Sequence, residues 1–296
     1  MTVTEKLDMA IKLKEKGSDE GAYAVSYKGE TLYKSAYMTN AEWEAFLKQM
    51  SDEAKKEYGE GGGDELSEKN GCPPKMASYG SSSRMIYCLS RKKEGFHYEK
   101  KLSTTVGGKA TLDGFYEGED AYIFVEAKCR EPYTAKKNSV SHRYASLYGY
   151  INERMASNLR IDMQTSKCGR YMNVDFFADG ERLERFDLKQ MICHLLGIAT
   201  GMLDGSLKRK QVNFIYLLYD PTKLDVDAET KAEIDGIYER TCYECTLVDF
   251  AELFRAILEF LIGLKFSHVS DGEVDDLLMK FTFTLASQDF YPILIQ

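Results

Sequence analysis

The run Val212-Asn-Phe-Ile-Tyr-Leu-Leu-Tyr219 is apolar without alternation, and Asp220-Pro221 stops it. A half-solvated strand alternates polar and apolar residues with period two, so an unbroken run of this length reads as a strand covered on both faces. Such a strand needs layers above and below it. A central sheet flanked by helices supplies them.

The neighbouring patterns fill in those layers. Three β-like runs follow one another closely, Phe96 to Thr104, Ala110 to Glu117 and Ala121 to Cys129. Gly107-Gly108 and Gly118-Glu119-Asp120 separate them, short enough for an antiparallel meander. Ser81-Ser-Ser83 caps a predicted helix reaching about Lys93, with Met85, Ile86, Cys88 and Leu89 on its buried side. Ser141 to Leu159, Asp187 to Met202, Asp227 to Gly236 and Leu247 to Leu264 read as helices. Tyr171 to Phe186 reads as a hairpin turning at Asp179-Gly180, and Phe281 to Leu285 as a strand. The expected fold is α/β, a mixed central sheet flanked by helices.

Residues 1–70 carry a pattern of their own and are expected to form an N-terminal appendage to a main body of residues 71–296. Leu7 to Lys16 is helix-like, and Tyr23 to Tyr27 and Thr31 to Ala36 alternate about Lys28-Gly29-Glu30. Thr39 then caps a predicted helix from Asn40 to Tyr58, with Glu42 completing a capping box. Glu60 to Pro74, opening with a glycine-rich stretch, reads as a mobile loop. No stretch reaches a membrane span, and the charged N-terminus lacks an apolar signal-peptide core. Seven cysteines without framework spacing indicate a reducing cytoplasm. Cys242 and Cys245 read as helix packing.

The charge most in need of explanation lies in Tyr122-Ile-Phe-Val-Glu-Ala-Lys-Cys129. Glu-x-Lys recurs at Glu53, Glu99, Glu126 and Glu229, so the tripeptide alone carries little weight. Glu53 and Glu229 fall on polar helical stretches, whereas Glu126 falls inside an apolar strand. Strand geometry puts Tyr122, Phe124, Glu126 and Lys128 on one face, the two charges about 7 Å apart, with Ile123, Val125, Ala127 and Cys129 turned to the core. Buried charges pair, neutralise or bind a metal. Asp113, one strand earlier, reaches the same spot. Two carboxylates and a lysine suit a hard cation beside a phosphodiester. Asp113 and Glu126 would hold Mg²⁺, with the carbonyl of Ala127 as a third ligand. Lys128 would orient or deprotonate a water and offset phosphate charge. The alternative is a cross-strand ion pair with no chemistry.

Phe96-His-Tyr-Glu-Lys-Lys-Leu-Ser-Thr, Ala110-Thr-Leu-Asp-Gly-Phe and Phe124-Val-Glu-Ala-Lys-Cys-Arg-Glu-Pro132 together resemble the PD-(D/E)xK nuclease superfamily, and within it a bacterial restriction-endonuclease-like group. The resemblance covers residues 75–130 and, more loosely, 185–220. It implies a restriction-endonuclease-like core with Asp113, Glu126 and Lys128 as metal-binding and catalytic residues. Leu112 stands where the family name has proline, a position that varies in the superfamily. A further acid and a glutamine often join such sites, which implies Glu99 on the first strand and Gln190 in Asp187-Leu-Lys-Gln-Met-Ile-Cys-His194. His194 sits four residues on, as a core histidine or a site neighbour. Glu131 is placed to orient Lys128 or to do nothing.

The expected activity is a Mg²⁺-dependent endonuclease on DNA, with Mn²⁺ able to substitute, serving restriction or defence. A homodimer and a methyltransferase or other defence-system neighbour are the partners this implies. The competing readings are a catalytically silent interaction protein of the same fold and a repair or RNA nuclease. The net charge of −8 weighs against a tight non-specific DNA binder. Contacts would fall to local clusters such as Arg91-Lys92-Lys93, Lys100-Lys101, Lys136-Lys137 and Lys208-Arg209-Lys210. No P-loop, Gly-x-Ser-x-Gly or His-Glu-x-x-His is present.

Overall fold

A computed structural model describes residues 2–17, 23–27, 30–34, 36–61, 65–134, 138–166 and 169–295. Helix α1 (Val3–Lys16) starts at a capping box between Thr2 and Glu5, and a hairpin of β1 (Tyr23–Tyr27) and β2 (Glu30–Lys34) follows. The turn expected at Lys28-Gly29 lies outside the described residues. The expected helix from Asn40 to Tyr58 is two helices, α2 (Asn40–Gln49) and α3 (Asp52–Glu60). Ser51 causes the break: its hydroxyl accepts the Ala54 amide and so begins a new helix. Helix α4 (Ser82–Ser90) is capped by Ser81 as expected but ends before Lys93.

Strands β3 (Phe96–Ser103), β4 (Lys109–Glu117) and β5 (Ala121–Lys128) form the antiparallel meander. Ser141 to Leu159 is not one helix. It divides into β6 (Ser139–Ser141), α5 (Ala145–Arg154) and the start of β7 (Leu159–Thr165). Strand β8 (Tyr171–Ala178) turns through Asp179 and Gly180, both at positive φ, into β9 (Glu181–Arg182). Helix α6 (Leu188–Asp204) leads to β10 (Gln211–Leu218). Helix α7 (Ala228–Thr246) runs well past Gly236 and carries Cys242 and Cys245. Helices α8 (Phe250–Leu264) and α9 (Asp271–Met279), strand β11 (Phe281–Ser287) and α10 (Tyr291–Leu294) complete the chain.

The central sheet has the order β11-β10-β5-β4-β3, with β10 parallel to both neighbours. The fold is thus mixed α/β, a mixed sheet flanked by helices. Strands β6, β8, β7 and β9 form a smaller antiparallel sheet.

Two apolar clusters sandwich the central sheet. Phe124, Phe214, Tyr216 and Leu218 pack with α5, α6, α8 and the smaller sheet on one side. Val125, Ala127, Ile215 and Leu217 pack on the other side with Leu7 and Ile11 of α1, Trp43 and Phe46 of α2, and α4. Both faces of β5 are therefore core, which corrects the expectation that only the Ile123–Cys129 face is. Tyr122 and Phe124 are as buried as Val125 and Ala127. The chain from α1 to α3 supplies much of the second layer. Segment Glu60 to Pro74, expected as a mobile loop, is pinned over its described part: Glu65 is buried, and its carbonyl accepts the Met76 amide.

Candidate active site

The meander changes character at Asp113. The β4–β5 ladder runs from Glu117↔Tyr122 to Gly114↔Val125 and stops there. Strand β5 continues to Lys128 paired only with β10. At the same level Glu99 adopts φ +51 in the middle of β3, and the β3–β4 pairing skips Glu99 and Asp113. Phe96 and Tyr98 belong to the second cluster but Leu102 to the first; on β4, Leu112 and Phe115 both belong to the first. Each strand thus switches the face it presents at the Glu99–Asp113 level. A left-handed conformation costs a non-glycine residue about 1–2 kcal/mol, and such strain gathers where a site needs it.

The parting of β4 from β5 is filled by a side chain. Asp113 Oδ2 accepts the Ala127 amide at 2.7 Å, standing in for a strand carbonyl. The Lys128 carbonyl accepts Tyr219 N–H beside β10, so the alternating Ala127 carbonyl turns the other way, toward Asp113. Glu126 and Lys128 project together, with Lys128 Nζ 2.6 Å from Glu126 Oε1. Both are nearly inaccessible, at 1% and 5%. Lys128 also donates to Gln190 Oε1 at 2.7 Å, and His194 Nε2 lies 2.9 Å from Glu126 Oε2. The i,i+4 spacing of Gln190 and His194 on α6 brings both to this face. Phe214 stacks against the His194 ring.

A cavity of about 180 Å³ opens beside these groups, lined almost wholly by polar residues. Asp113, Glu126, Lys128 and Gln190 share it with Glu65, Lys75, Arg130, Glu131 and the three serines opening α4. Glu65 accepts from Ser83 Oγ at 2.8 Å and pairs with Lys75 at 3.2 Å. Glu131 does not bond Lys128. It accepts the Cys129 amide and Ser82 Oγ, tying the end of β5 to the start of α4. Arg130 reaches back to Asp8 of α1 and to Ser78. A larger groove of about 820 Å³, with Arg91, Lys92 and Lys93 beside Glu53, Glu57 and Glu94, contains none of the acid–lysine group. Of the other basic clusters, Lys136-Lys137 lies outside the described residues, and Arg209 and Lys210 are taken up by Glu273 and Glu117.

Electrostatics separates the two carboxylates. Burial, reinforced by Glu126, pushes Asp113 well above the carboxylate range. Burial works the same way on Glu126, but Lys128 and His194 outweigh it and hold Glu126 below its usual value. Burial opposes the charge on Lys128, and Glu126 more than restores it, leaving the ammonium well above its usual value. Glu99 is pushed up to about 7 by burial and by repulsion from Glu65 and Glu126. It borders the site through its field and does not line the cavity.

Among the described residues, no group of three His, Cys, Asp or Glu side chains gathers as a metal cluster. The oxygen donors are instead Asp113, Glu126 and the Ala127 carbonyl. Mg²⁺ accepts such a set, since it keeps several waters and takes only one or two carboxylates. Both Glu126 oxygens are buried without a hydrogen-bond partner, and a cation would satisfy them.

Sequence reasoning brought together Asp113, Glu126, Ala127, Lys128 and Gln190, and placed Glu99 next to them. It missed Glu65, Lys75 and Arg130. No period marks a loop acid, but Arg130 directly follows the charged strand end and was open to notice. No family model, no curated protein and no solved structure matches this chain.

Proposed function

We propose that this protein is a metal-dependent nuclease that hydrolyses phosphodiester bonds in DNA, on a restriction-endonuclease-like core. The observation that carries the reading is the meeting of Asp113, Glu126 and Lys128 in one polar cavity where β4 leaves β5. A bound Mg²⁺ would polarise the phosphoryl group and acidify a water. The rest falls to the chain's own residues. Asp113 and Glu126 are the anionic ligands, and Ala127 offers its carbonyl. Lys128, held firmly charged by Glu126, is a poor base; it offsets charge on the phosphate and orients the water. Gln190 Oε1 accepts a hydrogen bond from the Lys128 ammonium and holds it in place.

The test is incubation with plasmid, linear and single-stranded DNA, and with RNA, plus Mg²⁺ or Mn²⁺. Cleavage abolished by EDTA is expected. Glu126→Gln/Lys128→Met, which removes both charges of the buried pair because removing one leaves the other unpaired, and Asp113→Asn should each lower the rate at least about a hundredfold while circular dichroism is unchanged. Undiminished cutting by both variants would sink the assignment.

One observation favours a second reading, a silent interaction protein. Glu126 already lies within ion-pair distance of Lys128 and His194, so its charge has partners without a cation. Calorimetry showing no Mg²⁺ or Mn²⁺ binding, together with no cleavage of any substrate, selects it.

A further inference from the structure

The central sheet ends at β11, and among the described residues no strand pairs with its outer edge. Edges that stay solvated usually carry a charge, a proline or a bulge that turns other strands away. Phe281-Thr-Phe-Thr-Leu-Ala-Ser287 carries none of these, in a chain that is 29% charged. Its register with β10 is unbroken over all seven residues. The two most exposed large apolar side chains among the described residues, Met279 at 78% and Phe290 at 66%, stand two residues before it and three residues after it.

The backbone shows which groups are offered. The Lys280 carbonyl accepts Val212 N–H, so residues 280, 282, 284 and 286 turn their peptide groups toward β10. Residues 281, 283, 285 and 287 turn theirs outward, the Ser287 carbonyl being already taken by the Phe290 amide. Those four are symmetric about Thr284.

We propose that a second copy of this chain docks on this edge, β11 against β11, antiparallel about a two-fold axis at Thr284. Two five-stranded sheets then join into one. Isologous contact of this kind is the commonest way identical chains pair. Phe283 falls opposite Leu285 of the second copy, an apolar cross-strand pair, and the two Thr284 side chains meet on the axis. Charge favours the antiparallel direction. Lys280, paired with Asp276, sits at one end of the strand, and Asp289, paired with Lys223, at the other. Antiparallel pairing sets Lys280 beside Gln288 and Asp289 of the other copy, whereas parallel pairing sets like beside like. The same geometry brings Met279 toward Phe290. A strand-edge contact lies at the small end of specific interfaces, so the dimer builds up with concentration. The nuclease resemblance implies a homodimer without placing its interface; this edge gives it one, and its test does not depend on cleavage.

Sedimentation equilibrium from low to several hundred micromolar decides it. The expected result is a rise from the 33.7 kDa chain mass toward twice that value. Thr284→Lys, which sets two ammoniums face to face, should return the mass to the monomer with unchanged circular dichroism. If that variant misfolds, Met279→Lys/Phe290→Lys, altering only exposed side chains, carries the same expectation. Thr284→Cys should cross-link on mild oxidation, because non-hydrogen-bonded antiparallel pairs hold their Cα atoms about 4.5 Å apart. A wild-type chain that stays monomeric throughout overturns the proposal. So does a dimer that survives the folded variants.

Discussion

Asp113 is the residue where fold and proposed activity pull in opposite directions. Its carboxyl is raised by burial and by Glu126, so ionising it opposes folding. Asparagine keeps an oxygen for the Ala127 amide and removes the charge. Asp113→Asn should therefore melt a few degrees higher than wild type while losing cation binding and cleavage. A lower melting temperature would show that the charge contributes to the fold. Asp8 offers a separate titration. Burial raises it to about 6, against the pull of Arg130 and Ser78. The folded chain then holds more protons than the unfolded chain between about pH 4 and 6, so this contribution to stability is lost as pH rises through that window. The loss amounts to about 3 kcal/mol for two pKa units. Asp8→Asn should flatten that part of the stability profile in urea titrations; an unchanged slope refutes the assignment. Asp113, Glu126 and Lys128 were legible because charge inside an apolar strand demands partners. Asp8 and Glu65 were not, because their burial is settled by chain segments far apart in sequence.

Helix α6 brings Gln190 and His194 to the site, and its distance from the meander is set at Gly197. A Cβ there would lie 2.9 Å from Ala110 Cβ and 3.1 Å from Leu102 Cβ. Gly197→Ala must push α6 off β3 and β4. We expect a loss of about 1–3 kcal/mol in denaturant unfolding, with a fall in cleavage as Gln190 leaves Lys128. Stability within a few tenths of wild type would mean that the sheet yields freely. At this scale the sequence reading succeeded where one pattern ran unbroken, the continuous apolar run of β10, the helical period of α6 and the strands of the meander. It failed where local caps cut a helical pattern, at Ser51, and where tertiary pairing drew Leu159 to Thr165 into a strand. Helix α7 outran its expected end because Gly236, near its middle, has open space around it and was tolerated.

On the scale of the whole molecule, the N-terminal helices are one wall of the sandwich. Leu7, Ile11, Trp43 and Phe46 belong to the cluster that covers Val125, Ala127, Ile215 and Leu217. Arg84 pairs with Glu15 at 2.5 Å and Arg130 with Asp8, stitching α1 to the elements around the cavity. Removing residues 1–61 should strip one face of the central sheet. The shortened chain is expected to lose its cooperative thermal transition and to bind a hydrophobic dye. A truncated chain that melts as sharply as the intact one would mark residues 1–61 as a true appendage. The sequence separated this segment from the rest by its glycine-rich boundary. It held no sign of the shared core, since apolar faces of short helices do not say what they will cover.

The bond from the Ala127 amide to Asp113 makes one backbone proton a witness to the cavity. Ala127 is wholly buried, so that proton meets water only when Asp113 lets go. A charged acceptor deshields an amide more than a neutral one. In a ¹⁵N-resolved spectrum the Ala127 resonance should therefore follow the ionisation of Asp113 and move again when Mg²⁺ arrives, before any substrate is added.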